Sequence, residues 1–286
     1  MRDSHLKVRK PSQAGRFYAG TPESLTEQLE KCFTHRLGPG QIPSAIKGDA
    51  KIVGLICPHA GYEYSGPIAA HAYYALAIDH KPDVVVILGP NHTGIGSLLA
   101  LMKEGAWQTP LGDIQVDLET ATRIQQNSGI IDVDDTAHLH EHSIEVQLPF
   151  LQYIYGSNFK LVPITFTIQD LESSQLVGQS IAKAVEGKNA LIIASTDLTH
   201  YEPHESAQRK DRKALKALEE LNETKFYSTI ESNHITACGY GPVVALIAAS
   251  KLLGATKGQI LSYKTSGDIT GDYSNVVGYS SIAVTK

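Results

Sequence analysis

The chemically capable residues of this chain follow its apolar runs. Residues 51–57 (KIVGLIC) lead into Pro58-His59, and residues 83–89 (DVVVILG) lead into Pro90-Asn91-His92. Residues 190–195 (ALIIAS) lead into Thr196-Asp197-Leu198-Thr199-His200. If the runs are parallel strands, their carboxyl ends share one edge, where α/β sheets collect ligands. His59, His92, Asp197 and His200 then converge although they are far apart in sequence. A lone loop histidine is more often bonded to backbone, but three strand ends with the same habit point to a site. Cys238, in ITACGYGPVVALIAAS, stands before a helix start marked by Gly239, Gly241 and Pro242. A helix N-terminus favours an anion, so a thiol there is expected to ionise near neutral pH. Two imidazoles and a thiolate suit zinc, copper or iron, and three protein ligands leave a position open for water, oxygen or substrate.

Other chemically capable residues admit plainer readings. Cys57 belongs to an apolar run and Cys32 to the helical pattern SLTEQLEKCF, so both read as packing residues. In HLHEHSIEVQLPF, His138, His140 and His142 alternate. Alternate positions on a helix do not share a face, whereas a helix starting near Glu141 places His142 and Glu145 on one side. These two are expected to line the site or to buttress it. Phe17 in GRFYAG and Tyr64 in GYEYSG offer aromatic surface, with Tyr64 the nearer in sequence to His59.

The elements that position these residues read as strand and helix in alternation. Residues 51–57, 83–89 and 190–195 are buried strands, and residues 97–102 a further one. Residues 160–167 (KLVPITFT) form a strand whose Pro163 predicts an edge or irregular position. Ser65 is the expected N-cap of a helix carrying Pro67 in its first turn. Helices are also expected from about Leu118, across residues 141–156 with a bend near Pro149, and over 171–186, 205–221 and 241–253. TPLGDIQVD reads as a turn with a short strand. The last two strands, QILSYKTS and NVVGYSSIAV, are expected to pair across SGDITGDYS. The pattern predicts one α/β domain over residues 1–286, with an open, mostly parallel central sheet and helices on both faces.

Composition narrows the function. With 42% hydrophobic and 19% charged residues the chain has material for a large core. Its 25 basic and 30 acidic residues, net −5, leave no electrostatic footprint for nucleic acid. No apolar stretch approaches a membrane span. The polar start MRDSHLKVRK is unlike a secretory signal, and three scattered cysteines make no disulfide framework, so a cytoplasmic location is expected.

The strings PHAGYEYSGPIAAHAY, GPNHTG, EHSIEVQLPFL, STDLTHY and ACGYGP occur in the order found in the Memo family. That family is named for mediators of ErbB2-driven cell motility and includes the AmmeMemoRadiSam system protein B of prokaryotes. The chain resembles it from RKPSQAGRFY to the last strand. The family is similar in fold to class III extradiol dioxygenases, which use non-haem iron. The resemblance implies a mononuclear metal site with His59 of PHAGY, His92 of PNH and Cys238 of ACG as ligands. It places Asp197 and His200 of STDLTH in the same pocket, with His200 as acid/base. It also implies association with Amme-type and radical-SAM proteins. Two departures stand out: Phe17 replaces a Trp of the animal proteins, and Gly-Tyr-Gly-Pro after Cys238 replaces a basic stretch. They argue against the phosphotyrosine-peptide binding described for animal Memo.

Three functions fit these residues. The first is a metal-dependent redox or oxygenase-type activity on a small or peptide substrate, with iron or copper favoured over zinc. The second is a peptide- or partner-binding scaffold that retains the pocket without chemistry. The third is a zinc-dependent hydrolase.

Overall fold

The computed structural model describes residues 7–44, 48–49 and 51–286. Residues 1–6, which open the polar segment read above as unlike a secretory signal, lie outside them. In chain order the elements are β1 Val8–Arg9, α1 Pro22–Thr34, β2 Ile52–Cys57, α2 Gly66–Asp79, β3 Val84–Pro90, β4 Leu99–Leu101, β5 Ala106–Thr109, β6 Gly112–Gln115, α3 Leu118–Ser128 and β7 Asp132–Val133. Two 3-10 turns, Thr136–His138 and Glu145–Gln147, precede α4 Leu148–Tyr155 and β8 Lys160–Phe166. Then come α5 Leu171–Val185, β9 Ala190–Ser195, β10 His200–Glu202, α6 His204–Glu219, α7 Glu223–Ser232, α8 Tyr240–Leu252, β11 Lys257–Thr265, α9 Ser266–Thr270 and β12 Val276–Thr285.

The main sheet runs β10-β12-β2-β9-β3-β8-β4-β7, with β11 on β12. Its centre, β2-β9-β3-β8, is parallel throughout. These strands alternate between two cores, as a pleated strand buried on both faces must. Val84, Val86 and Leu88 join Ile192 and Ala194 on the face covered by α5, α6, α7 and α8. Val85, Ile87, Leu191 and Ile193 face α1, α2 and α4. The helix after β2 therefore lies on one face and the helix after β9 on the other. β2 and β9 are neighbours, so their connections part at the carboxyl edge and open a crevice there. The register Cys57↔Ser195 and Leu88↔Ala194 brings the carboxyl ends of β2, β9 and β3 level.

The expected pairing of the last two strands is present, antiparallel along Lys257↔Thr285 to Thr265↔Gly278. Three expectations are corrected. Strand β8 is interior rather than an edge, paired with β3 along its whole length. Pro163 is tolerated because its other side is only partly covered: β4 pairs with Ile164 to Phe166, and Val116 bridges Leu161. No helix begins near Glu141; the chain turns there and becomes helical at Leu148, after a 3-10 turn. Ser65 does not cap α2 with its side chain, because its hydroxyl donates to the Ala60 carbonyl. The expected turn and short strand of TPLGDIQVD are present as β6, which pairs with β5 in a hairpin; β5 and helix α7 were not foreseen in the sequence.

Candidate metal centre

His59 lies two residues beyond β2 and is almost fully buried, at 2% exposure. Its backbone N–H donates to Asp197 Oδ1 at 2.9 Å, tying the β2 end to the β9 end. Its ring Nδ1 is 2.9 Å from Ser195 Oγ, whose other partners settle the tautomer. The Tyr73 hydroxyl donates to Gln147 Oε1, so the Gln147 amide nitrogen faces the Pro58 carbonyl and Ser195 Oγ and donates to both. Ser195 directs its single proton to the Ser143 carbonyl, at 2.7 Å. Toward His59 it can therefore only accept. Nδ1 carries the proton, and Nε2 keeps its lone pair beside Cys238 Sγ at 3.1 Å.

His92, two residues beyond β3, is oriented by Glu141. This buried carboxylate accepts from the backbone N–H groups of His92, His142 and Ser143. It also faces Nδ1 of His92 at 3.0 Å and Nδ1 of His142 at 3.2 Å. Burial alone would raise its pKa, but the hydrogen bond and charge of His92, the charge of His142 and the Ser143 amide carry it down to about 2. An ionised carboxylate accepts only, so His92, hydrogen-bonded to it, is protonated at Nδ1 and presents Nε2 as a free donor atom, while His142 meets Glu141 through charge without a hydrogen bond. Burial, with the neighbouring imidazoles adding to it, holds His59 well below the ordinary histidine range. Burial takes His142 down to about 4 in spite of Glu141. Both are neutral at pH 7, as ligation requires.

Cys238 sits one residue before Gly239, the N-cap of α8. Gly239 is required by space: a Cβ there would lie 2.3 Å from the Ser195 carbonyl oxygen. The thiol is half-buried and accepts from the Asp197 amide at 3.2 Å. The expected easy ionisation is corrected: burial first, and then the Asp197 charge, push this thiol up. Without a cation the helix end does not outweigh them. Cys32 and Cys57 are packed in the α1/α2 core, as expected of structural cysteines.

The donor atoms fall into two overlapping groups, each with all members within 4.8 Å of one another: His59, His92 and His142, and His59, Asp197 and Cys238. The three expected ligands do not form one group: His59 is common, His92 belongs to the first and Cys238 to the second. Asp197 is buried, and burial raises its pKa to about 6 against the opposing His59 amide and the His200 and His92 charges. His200 Nδ1 faces the carbonyls of Leu198 and Thr236 at 2.7 and 2.9 Å, both acceptors only, so its Nε2 is the basic atom. Phe17 packs on His142, with ring centroids 4.7 Å apart. Tyr64 is 41% exposed and shares with Phe17, Arg16 and Gly61 a shallow depression of about 220 Å³. Glu145 does not line the cleft. It is buried with Arg9 and accepts from the Ser12 and Gln13 amides and the Tyr18 hydroxyl.

Gln147 and Ser195 carry no mark of a site in the sequence, and Glu141 stands out there only as a neighbour of His142.

The fold and this crevice define an α/β protein with a histidine- and cysteine-lined cleft at the carboxyl ends of parallel strands. A family model for Memo-like proteins matches residues 9–283, so the chain belongs to the Memo family. It is 50% identical over 276 residues to a MEMO1 family protein of Methanopyrus kandleri, covering 96% of this chain and 98% of that one. It is also 50% identical over 287 residues to a MEMO1 family protein of Methanocaldococcus jannaschii, covering 97% and 99%. Among solved structures, an uncharacterized protein of Escherichia coli K12 shares the fold, with a TM-score of 0.58 at 13% identity, covering 82% of this chain and 100% of that one.

Proposed function

We propose that the cleft is a mononuclear metal centre supporting a redox or oxygenase-type reaction, with His59, His92 and Cys238 as ligands. One observation carries the reading: two imidazoles have Nδ1 turned to partners that can only accept, leaving Nε2 of each as a donor atom in a cleft that also holds a thiol. Protein–metal bonds of about 2.0–2.3 Å require paired donors to lie within roughly 4.4 Å, so His92 and Cys238 close about His59 on loading. A bound iron or copper ion would supply a Lewis acid and an electron-transfer partner, with a coordination position left for substrate or oxygen.

The surrounding groups fit proton handling. Asp197, shifted to about 6, exchanges a proton near neutral pH. His200 offers Nε2 as base, its ring held by the Leu198 and Thr236 carbonyls. The aromatic wall of Phe17 and Tyr64 receives the apolar part of a small or peptide substrate.

The test is metal content after anaerobic and aerobic purification, together with oxygen uptake in the presence of a reductant. Iron or copper bound at about one ion per chain, with oxygen uptake lost in His92→Ala, is expected. Zinc alone, with no oxygen uptake under any reductant, would sink the redox reading. Metal that remains in His59→Ala would sink the ligand set.

A further inference from the structure

We propose that the cleft offers a second, all-imidazole position for a metal ion, formed by His59, His92 and His142. It rests on the metal-centre reading above and adds His142 as a donor in its own right.

Three observations carry it. The donor atoms of His59, His92 and His142 all lie within 4.8 Å of one another, a spacing close to the roughly 4.2 Å limit for two imidazoles on one ion. Glu141 hydrogen-bonds Nδ1 of His92, the carboxylate pairing by which ligating histidines are held, and the same carboxylate stands 3.2 Å from Nδ1 of His142 and acts on it through charge. The rings are also fixed by packing. His92 and His142 stack with centroids 4.5 Å apart at 25°, and His59 meets both edge-on, at 5.2 and 5.3 Å. Phe17 backs His142 from the far side. A histidine that served only to support His92 would not need a place in the same donor group.

The two positions share His59 and His92 and so exclude each other; the chain takes one ion at a time. They differ in the third donor, a thiolate or an imidazole. Soft donors select copper(I), whereas imidazoles suit nickel(II) and other borderline ions. Metal identity therefore decides the position, and an ion displaced from Cys238 by oxidation or alkylation of the thiol has a site to fall back on.

The test loads the purified full chain with nickel(II), or anaerobically with copper(I), and reads affinity by chelator competition and donor type by X-ray absorption. Copper(I) in wild type should show a sulfur donor, and nickel(II) in Cys238→Ser should bind at one ion per chain with three imidazoles and no sulfur. Adding His142→Phe to Cys238→Ser, which keeps a ring between Phe17 and His92, should weaken nickel(II) by about 100-fold or more, since even partners behind a ligand are worth roughly 10–100-fold. His142→Phe alone should leave copper(I) affinity within a few-fold. Counting imidazoles in Cys238→Ser needs no change at His142, so the result survives a misfolded His142 variant. Two imidazoles there, nickel(II) affinity indifferent to His142, or no nickel(II) in Cys238→Ser when wild type binds it would overturn the second position alone. Failure of wild type to bind either ion, or retention of both in His59→Ala, would overturn the metal-centre reading as well.

Discussion

A single chain of donors around Ser195 decides what His59 can do, because each partner's proton is already assigned. Replacing Ser195 with Ala removes the acceptor at Nδ1, and metal affinity should fall by roughly 10–100-fold, read by chelator competition, with His59 still in place. The cysteines separate by environment. Cys238→Ser should weaken metal binding and leave the melting temperature of the metal-free protein nearly unchanged. Cys57→Ser places a hydroxyl among core side chains and should cost on the order of 1–3 kcal/mol if unpaired, with metal content unaffected. His200→Ala should lower any turnover by roughly 10²–10⁴-fold while metal content stays near wild type. Complete metal loss would instead make His200 a ligand. At this scale the sequence showed His59, His92, Asp197, His200 and Cys238, since each follows or precedes an apolar run. It could not show Ser195 or Gln147 at work, because a serine at a strand end and a glutamine before a helix look ordinary until their partners are known.

Elements defined by their own periodicity were legible: β2, β3, β9, α5 and α8 lie within a residue or two of the expected bounds. Short elements held by distant partners were not. β1 has two residues and exists because β5 pairs with it, and Pro163 signals an edge because the short reach of β4 leaves no trace in the local sequence. The Arg9–Glu145 pair joins β1 to the turn before α4, and both side chains are buried. Against the upward push of burial, Arg9, the Tyr18 hydroxyl and the Ser12 amide hold Glu145 below its ordinary value of 4.5. A depressed folded-state pKa means that the unfolded chain takes up the proton first as pH falls. The pair's stabilisation is therefore full above about 4.5 and is lost as pH drops through the folded value. Glu145→Gln should destabilise by about 3–5 kcal/mol at pH 7, because Arg9 is left buried without its partner. The gap from wild type should narrow in denaturant titrations carried below pH 4.

At the scale of the whole molecule, the two cores lie on opposite faces of one sheet, and β2, β3 and β9 contribute residues to both. Neither core can be removed without stripping a face from these strands. Limited proteolysis should therefore cut surface loops and release no pair of stable halves; two separately folding fragments would refute the single-domain reading. Fold class was legible because alternation of strand and helix constrains layers strongly. The mixed edges were harder to read: β12 lies beside β2 although more than 200 residues separate them, and only its pairing with β11 had a local signal.

The glycine after Cys238 sets a tolerance for the cleft. The Ser195 carbonyl stands where its Cβ would be, so α8 approaches β9 as closely as a backbone can. An alanine at 239 would act as a shim, lifting the start of α8 and taking Cys238 away from His59. It would change no donor and no charge. Its expected signature is thus a change in which metals the protein prefers, with the fold and the imidazoles intact, so the choice of ion here is partly a matter of backbone clearance.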